Sequence, residues 1–247
     1  LLFALLGLVQ SKDTSALISV LQEFLPEPSP TASDDDALPA ASALYATSSV
    51  SAETTGQTSP DSCYAYYYQQ LSAAEQTLYT TIYAGVSDRK DTIDLNTTDT
   101  DTVHRIYHFV LYDHPEMFWC VGSSQSNVYS TRIEFMPDYS CTREEISQRK
   151  SQIEQAAAAC LAGLSADTTD YEKVHYIYTG LVNTVDYDDN ASDNQNIYSS
   201  MVGHASVCAG YAKGLQYLLN QLSVPCIYIT GTLSSGGTHA WNMVQCN

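Results

Sequence analysis

At 247 residues the chain has room for one or two domains, and its 44% hydrophobic content is enough for a packed core, which excludes wholesale disorder. Its 28 acidic against 10 basic residues, a formal net charge of −18, exclude nucleic acid and anionic membrane surfaces as natural partners. The charge suits a protein in a salty or extracellular setting, or one with basic partners.

The chain opens with the apolar run "LLFALLGLVQ" and no initiator methionine. This reads as the remains of a signal-peptide core or membrane anchor whose start is missing, too short as it stands to span a bilayer. Leu17, Ile18, Leu21 and Leu25 fit one face of a short helix that Pro26 ends, so residues 1–25 form an apolar N-terminal segment. Residues 26–62 are rich in Pro, Ser, Thr and Ala, contain no Lys or Arg, and hold almost no large apolar side chain. Such a stretch cannot bury enough surface to offset its ordering entropy and reads as a disordered linker. An apolar start, a linker and a folded body together lead us to expect an exported protein, extracellular or held at the cell surface through a membrane or cell-wall tether.

The folded body begins near "CYAYYYQQL". Three capping-box sequences announce helices: "SAAE" at 72–75, "TREE" at 142–145 and "TDYE" at 169–172. The first precedes a helical stripe of Leu78, Tyr79, Ile82, Tyr83 and Val86. A second helix is expected from about Asp101, with Val103, Ile106, Tyr107, Val110 and Leu111 inward, stopping near "DHPE" because Pro115 disfavours helix at His114. "MFWCV" and "STRIEF" read as strands. The second box opens a long helix carrying Ile146, Ile153, Ala157, Cys160, Leu161 and Leu164. Residues 63–166 are thus a small α+β accessory domain. The third box opens a helix with Val174, Ile177, Tyr178, Leu181, Val182 and Val185 inward. After the acidic loop "DYDDNASDNQN", the stretch "SVCAGYAKGLQYLLNQL" places Tyr211, Leu215, Leu218, Leu219 and Leu222 at helical spacing. "VPCIYITG" and "HAWNMVQ" read as two strands joined as a hairpin across "LSSGGT".

Cys208 begins the helix and His239 begins the last strand. A helix N-terminus carries partial positive charge and free N–H groups, both of which favour thiolate over thiol. An adjacent imidazolium lowers the thiol pKa further. Such a thiolate can attack an amide carbonyl and form a thioester, with the Cys208 N–H facing the oxyanion. Gly210 would clear the path of the substrate. Lys213 lies too far along the helix for a catalytic role to be assigned.

"VCAGYA" before a helix, then "VPCIYITG" and "HAWNMV", resembles the core of the transglutaminase-like superfamily of papain-like cysteine acyl-transferases and peptidases. "YEKVHYIYTGLVNTVDYDDNA" and "NIYSSMVGHASVC" resemble that family's approach to its cysteine. "LSAAEQTLY", "VLYDHPEMFW" and "MPDYSCTREEI" resemble, less specifically, a region preceding the core in exported bacterial members. The resemblance implies an α+β fold in which a Cys-bearing helix packs on an antiparallel sheet bearing the His, with 167–247 as a partial core. It implies Cys208 as nucleophile and His239 as base, with Trp241, Asn242, Tyr187 and Asp188 matching positions around the cleft, and Gly210 and Tyr211 beside the cysteine. It implies a protein or peptide substrate, no cofactor and no metal. The family's third catalytic residue is an aspartate on the following strand. Only eight residues follow His239 and none is an aspartate, so we expect a chain truncated at its C-terminus, active when complete. A non-catalytic binding or adhesion module at the cell surface is the alternative.

The seven cysteines, Cys63, Cys120, Cys141, Cys160, Cys208, Cys226 and Cys246, include no C-x-x-C pair, which leaves zinc ribbons and thioredoxin-type redox chemistry unsupported. If the protein is exported, Cys120 and Cys141, flanking the predicted strand pair, are the favoured disulfide. Cys226 reads as core. A zinc site from His204, Cys208 and His239 has no spacing signature behind it, and His104 with His108 reads as a solvated or partly buried pair. Asp186, Asp188, Asp189 and Asp193 read as a solvated loop. Asn96-Thr97-Thr98 and Asn190-Ala191-Ser192 fit the short glycosylation acceptor pattern.

Overall fold

All three capping boxes form as the sequence spells them. In each, the Ser or Thr hydroxyl accepts the main-chain N–H three residues on, and the Glu carboxylate accepts the cap N–H in return. The helices they start anchor a computed structural model that describes residues 65–234 and 236–246, which fall in one compact unit. The predicted N-terminal helix, the linker at 26–62, Cys63 and any tether lie outside the described residues.

In chain order the elements are α1 (Tyr66–Gln69), α2 (Ala73–Ser87), β1 (Ile93–Leu95), α3 (Thr100–Asp113), β2 (Cys120–Val128), β3 (Ile133–Tyr139), α4 (Arg143–Leu161) and α5 (Asp170–Thr184). There follow β4 (Asp186–Tyr187), a π-helical turn (Ser199–Gly203), β5 (Ala205–Ser206), α6 (Cys208–Gln221), β6 (Cys226–Thr232) and β7 (Thr238–Val244). The first three β-strands form an antiparallel sheet in the order β1-β3-β2, β4 and β5 pair in parallel, and β6 and β7 form the expected hairpin.

The helix over 100–113 buries Val103, Ile106, Tyr107, Val110 and Leu111, as its periodicity requires, and stops at Asp113 before Pro115. "MFWCV" behaves otherwise. Met117, Phe118 and Trp119 form turns rather than strand, closed by Met117 N–H to His114 O and Cys120 N–H to Met117 O. All three side chains are buried, and the Trp119 indole donates to Val86 O at 3.1 Å. The apolar run is a plug in the core. The strand starts at Cys120 and runs through the polar "GSSQSNV", which lacks the apolar alternation that would reveal it. Cys120 and Cys141 are both buried and unpaired, which corrects the favoured disulfide.

One hydrophobic core runs from Leu71 through Phe135, Ile153 and Ile177 to Leu215, Leu219 and Val244, so the stretch upstream of residue 166 and the stretch downstream of it share an interior. Asp113 is the polar anchor of the upstream part. Its carboxylate, almost fully buried, accepts the N–H groups of Tyr67 and Tyr68, each at 3.0 Å, and the Tyr79 hydroxyl at 2.9 Å. Burial pushes its carboxyl up from the ordinary range, and the three donors oppose that rise. These bonds hold α1 in place, and from α1 the Tyr67 hydroxyl reaches Tyr228 O in β6 at 2.6 Å.

Two outcomes follow from this architecture. Asp113→Ala leaves two amides and a buried phenol without their acceptor and lowers unfolding free energy by roughly 2–3 kcal/mol. Urea denaturation measures the loss, and amide exchange at Tyr67 and Tyr68 speeds up. Separately, hydrogen bonds from Ser72, then from Arg105, hold the partly exposed Glu75 carboxyl down to about 2. A depressed folded pKa contributes stability that is present above the ordinary carboxylate range and lost as pH falls toward 2. Glu75→Gln therefore removes part of the acid sensitivity of melting, read as a shallower fall of Tm with pH on the acid side.

Candidate functional site

Cys208 is the first residue of α6, after an extended Val207 that offers no side-chain cap. The segment before it is clamped from both sides. Ser206 pairs with Tyr187, and the Asp188 N–H donates to Ser206 O at 3.1 Å. The Ser206 hydroxyl donates to Asn194 O at 2.7 Å and meets the Ser199 hydroxyl at 2.8 Å, while Val207 N–H donates to Asn194 O at 3.1 Å. The acidic loop is thereby folded against the shoulder of Cys208. Within it the Asp188 carboxylate closes a local turn by accepting the Asn190 N–H at 2.8 Å, and Asp193 is held by Arg149 at 2.7 Å. The reading of these aspartates as simply solvated is corrected for Asp193.

The helix behind Cys208 is buried almost all round, from Ala209 through Tyr211, Ala212, Gly214, Leu215 and Gln216 to Leu218 and Leu219. Gly210 makes this burial feasible. A Cβ there would lie 1.9 Å from Ser206 Oγ and 3.0 Å from both Asn194 O and Asn196 O. The space is filled by the chain's own loop, so Gly210 serves packing; the expectation that it clears a path for substrate is corrected. Tyr211 is likewise interior, its hydroxyl donating to Val185 O at the end of α5.

Around Cys208, half-buried, stands a small cluster of Ala209, Ala212, Tyr228 and Ala240, with Tyr112 against it. Ala240 is the neighbour of His239. Asn242 Nδ2 donates to Ala212 O at 2.9 Å, so β7 runs along α6 with its His239 end toward the Cys208 end. His239 is buried, pairs across the hairpin with Gly231, and stacks on Trp241 with ring centroids 6.1 Å apart and planes at 23°. Trp241 in turn lies across Gly231, where a Cβ would be 2.6 Å from its ring. Asn242, with no exposed surface, is a tie between helix and hairpin rather than part of a cleft wall.

Tyr187 is the matched residue that reaches Cys208 directly. Its hydroxyl lies beside the Cys208 main-chain N–H and thiol; burial first, then the sulfur, raises its pKa. Asp188 and Tyr211 support the segment without touching the sulfur by any bond seen here. Tyr228, Tyr112 and Lys213 carry no local motif and were not singled out from the sequence as site residues. Tyr112 and Tyr228 have ring centroids 5.1 Å apart, and the Lys213 ammonium sits 5.5 Å from the Tyr228 ring. Lys213 is half-buried, and burial lowers its pKa to about 8. Only the tertiary structure brings Tyr112 and Tyr228 into the cluster that holds Cys208. Among the described residues no group of three His, Cys, Asp or Glu is placed to hold a metal ion, and His104 and His108 lie exposed on α3.

Residues 157–247 match the family model of the transglutaminase-like superfamily core. Two solved structures are similar at low level. One is a crystal structure of a TGase, with 14% identity and a TM-score of 0.36, covering 51% of this chain and 41% of that one. The other is described as a "Putative Cysteine Protease from Cytophaga hutchinsonii", with 16% identity and a TM-score of 0.33, covering 50% of this chain and 58% of that one. The chain thus spans less than two thirds of the length of either. No curated protein matches it.

The packing around Gly210 sets a direct test. Gly210→Ala forces a methyl into Ser206 Oγ and two carbonyl oxygens and costs roughly 3 kcal/mol. Urea denaturation measures this, and a variant as stable as the parent would refute the close approach.

Proposed function

With residues 157–247 forming a domain of the transglutaminase-like superfamily, we propose that the protein carries out acyl transfer or hydrolysis at protein or peptide amides through a thioester on Cys208. The observation that carries this reading is the placement of Cys208 at the open end of α6, in the same small cluster as the residue next to His239. The free first-turn amides of α6 and the helix dipole offer donors to negative charge that develops there during the reaction. His239 acts as the base that takes the thiol proton.

In the first half-reaction the Cys208 sulfur attacks the amide carbonyl carbon and the S–C bond forms. The Cys208 N–H faces the developing oxyanion. As the carbonyl re-forms, the C–N bond breaks, and the amine leaves with the proton held on His239. In the second, water or an amine gives its proton to His239 and attacks the thioester carbonyl. The S–C bond breaks and sulfur returns as thiolate. Water as acceptor gives a carboxylic acid; a lysine amine gives a crosslink. We read the protein as acting outside the cell or at its surface, a reading supported by the apolar run at 1–10 and the linker composition of 26–62. No helix among the described residues is long and apolar enough to cross a membrane.

A second reading, a non-catalytic surface binding module, is favoured by one feature. The Tyr187 hydroxyl stands beside the very N–H and thiol that an acyl intermediate would use. Limiting iodoacetamide, with peptide mapping across pH, separates the two. A catalytic Cys208 is alkylated roughly tenfold or more faster than the comparably half-buried Cys160 and Cys246, and His239→Ala removes that advantage. Labelling of Cys208 no faster than Cys160 and Cys246, and unchanged in His239→Ala, selects the binding module.

A further inference from the structure

A cavity of about 700 Å³ lies between α4, α5, the π-helical turn and α6, within the usual size range of small-molecule sites. Its apolar lining includes Ala156, Ala159, Leu181, Met201 and Leu218. Gly180 faces open space, with nothing within 4 Å of where a Cβ would stand. The charge pattern is unusual for this chain. Although the sequence carries 28 acidic residues, the lining contains no Asp or Glu, and no Lys or Arg; it contains two of the six histidines, His175 and His204. Both are exposed on the rim, and no ion pair joins either to a carboxylate of the described chain.

The wall that carries His204 is locally irregular. It is a π-helical turn ending at His204 in the left-handed region, φ 52° and ψ 26°. For a residue other than glycine this conformation costs of the order of 1–3 kcal/mol and persists only where neighbours impose it. Here the His204 N–H donates to Ser199 O, and the His204 carbonyl accepts the Asp186 N–H at 2.8 Å. Single π-turns recur at functional sites, and this one presents an imidazole beside an apolar hollow.

We propose that the cavity binds a small amphiphile made of a medium-length apolar chain and a carboxylate head. The chain lies on the Ala, Leu and Met floor, and the carboxylate accepts N–H donors from His175 and His204. Hydrogen-bond donors select the head group. Imidazole N–H groups on the rim can donate to a carboxylate, while the lining holds no Asp or Glu to partner a cation. The site is separate from the Cys208 cluster and does not depend on the activity proposed above.

Isothermal titration of the full chain with decanoate, decanol and decyltrimethylammonium tests it. Decanoate binds saturably, one per chain, about tenfold or more tighter than decanol, equal to one good hydrogen bond or more, and the ammonium does not compete. Gly180→Leu fills the hollow and abolishes binding of decanoate and decanol while melting at or above the parental temperature. His175→Ala combined with His204→Ala removes the preference for the acid over the alcohol and leaves decanol binding intact. Absence of saturable decanoate binding, equal binding of the ammonium, or binding unchanged in Gly180→Leu overturns the proposal. Concentration-dependent dimers that ignore decanoate and vanish in Gly180→Leu overturn it too, because the hollow then takes a second copy of the chain.

Discussion

The arrangement depends on one packing constraint: α6 must be buried on nearly every side while its first residue stays half open. Small residues make that feasible. Gly210 lets the 194–206 loop close over the first turn, Gly214 lets Ser200 approach, and Ala209 and Ala212 let the hairpin and Tyr228 come close. A helix enclosed in this way has its direction and rotation set by contacts all round, so the position of the Cys208 sulfur is set by the core rather than by a mobile loop. The residues that suggest chemistry near the cysteine are for the most part the ones that satisfy this constraint.

The same constraint joins the upstream elements to the site. Tyr112 packs on the Cys208 cluster from α3, and its carbonyl accepts the Gln216 amide of α6 at 2.8 Å. Asp113, the next residue, holds α1, which sends the Tyr67 hydroxyl to the backbone of β6. Phe118 O receives the Asn196 amide from the loop that closes over Gly210. A stretch that precedes the family match thus supplies one side of the surroundings of Cys208 and cannot be removed without exposing it.

Charge is distributed with purpose within this frame. Acidic side chains that lie near helix starts are used as caps, where dipole and free amides hold them ionised. Asp113 is the exception, buried and held by three donors. Lys213, half-buried over an aromatic ring, is the reverse case, a cation whose charged form is made costly by burial.

Local signals were legible in the sequence wherever a short stretch determines its own structure. The capping boxes, the stop before Pro115, the helix beginning at Cys208 and the β6–β7 hairpin needed only neighbours within a few residues, because caps, proline sterics and apolar periodicity act at that range. Where meaning depends on a distant partner, the sequence was silent or misleading. "MFWCV" has strand composition but fills a core hollow that other elements create. The polar strand after Cys120 exists because β3 offers it hydrogen bonds. The Gly210 vacancy could be assigned to substrate or to packing until the loop that fills it was in place. Cysteine, glycine, tyrosine and histidine spacing by itself determined which residues were worth looking at; which of them touch Cys208, and which merely hold the helix that presents it, was decided only by tertiary packing, because contact between residues far apart in the chain is set by how the whole core closes.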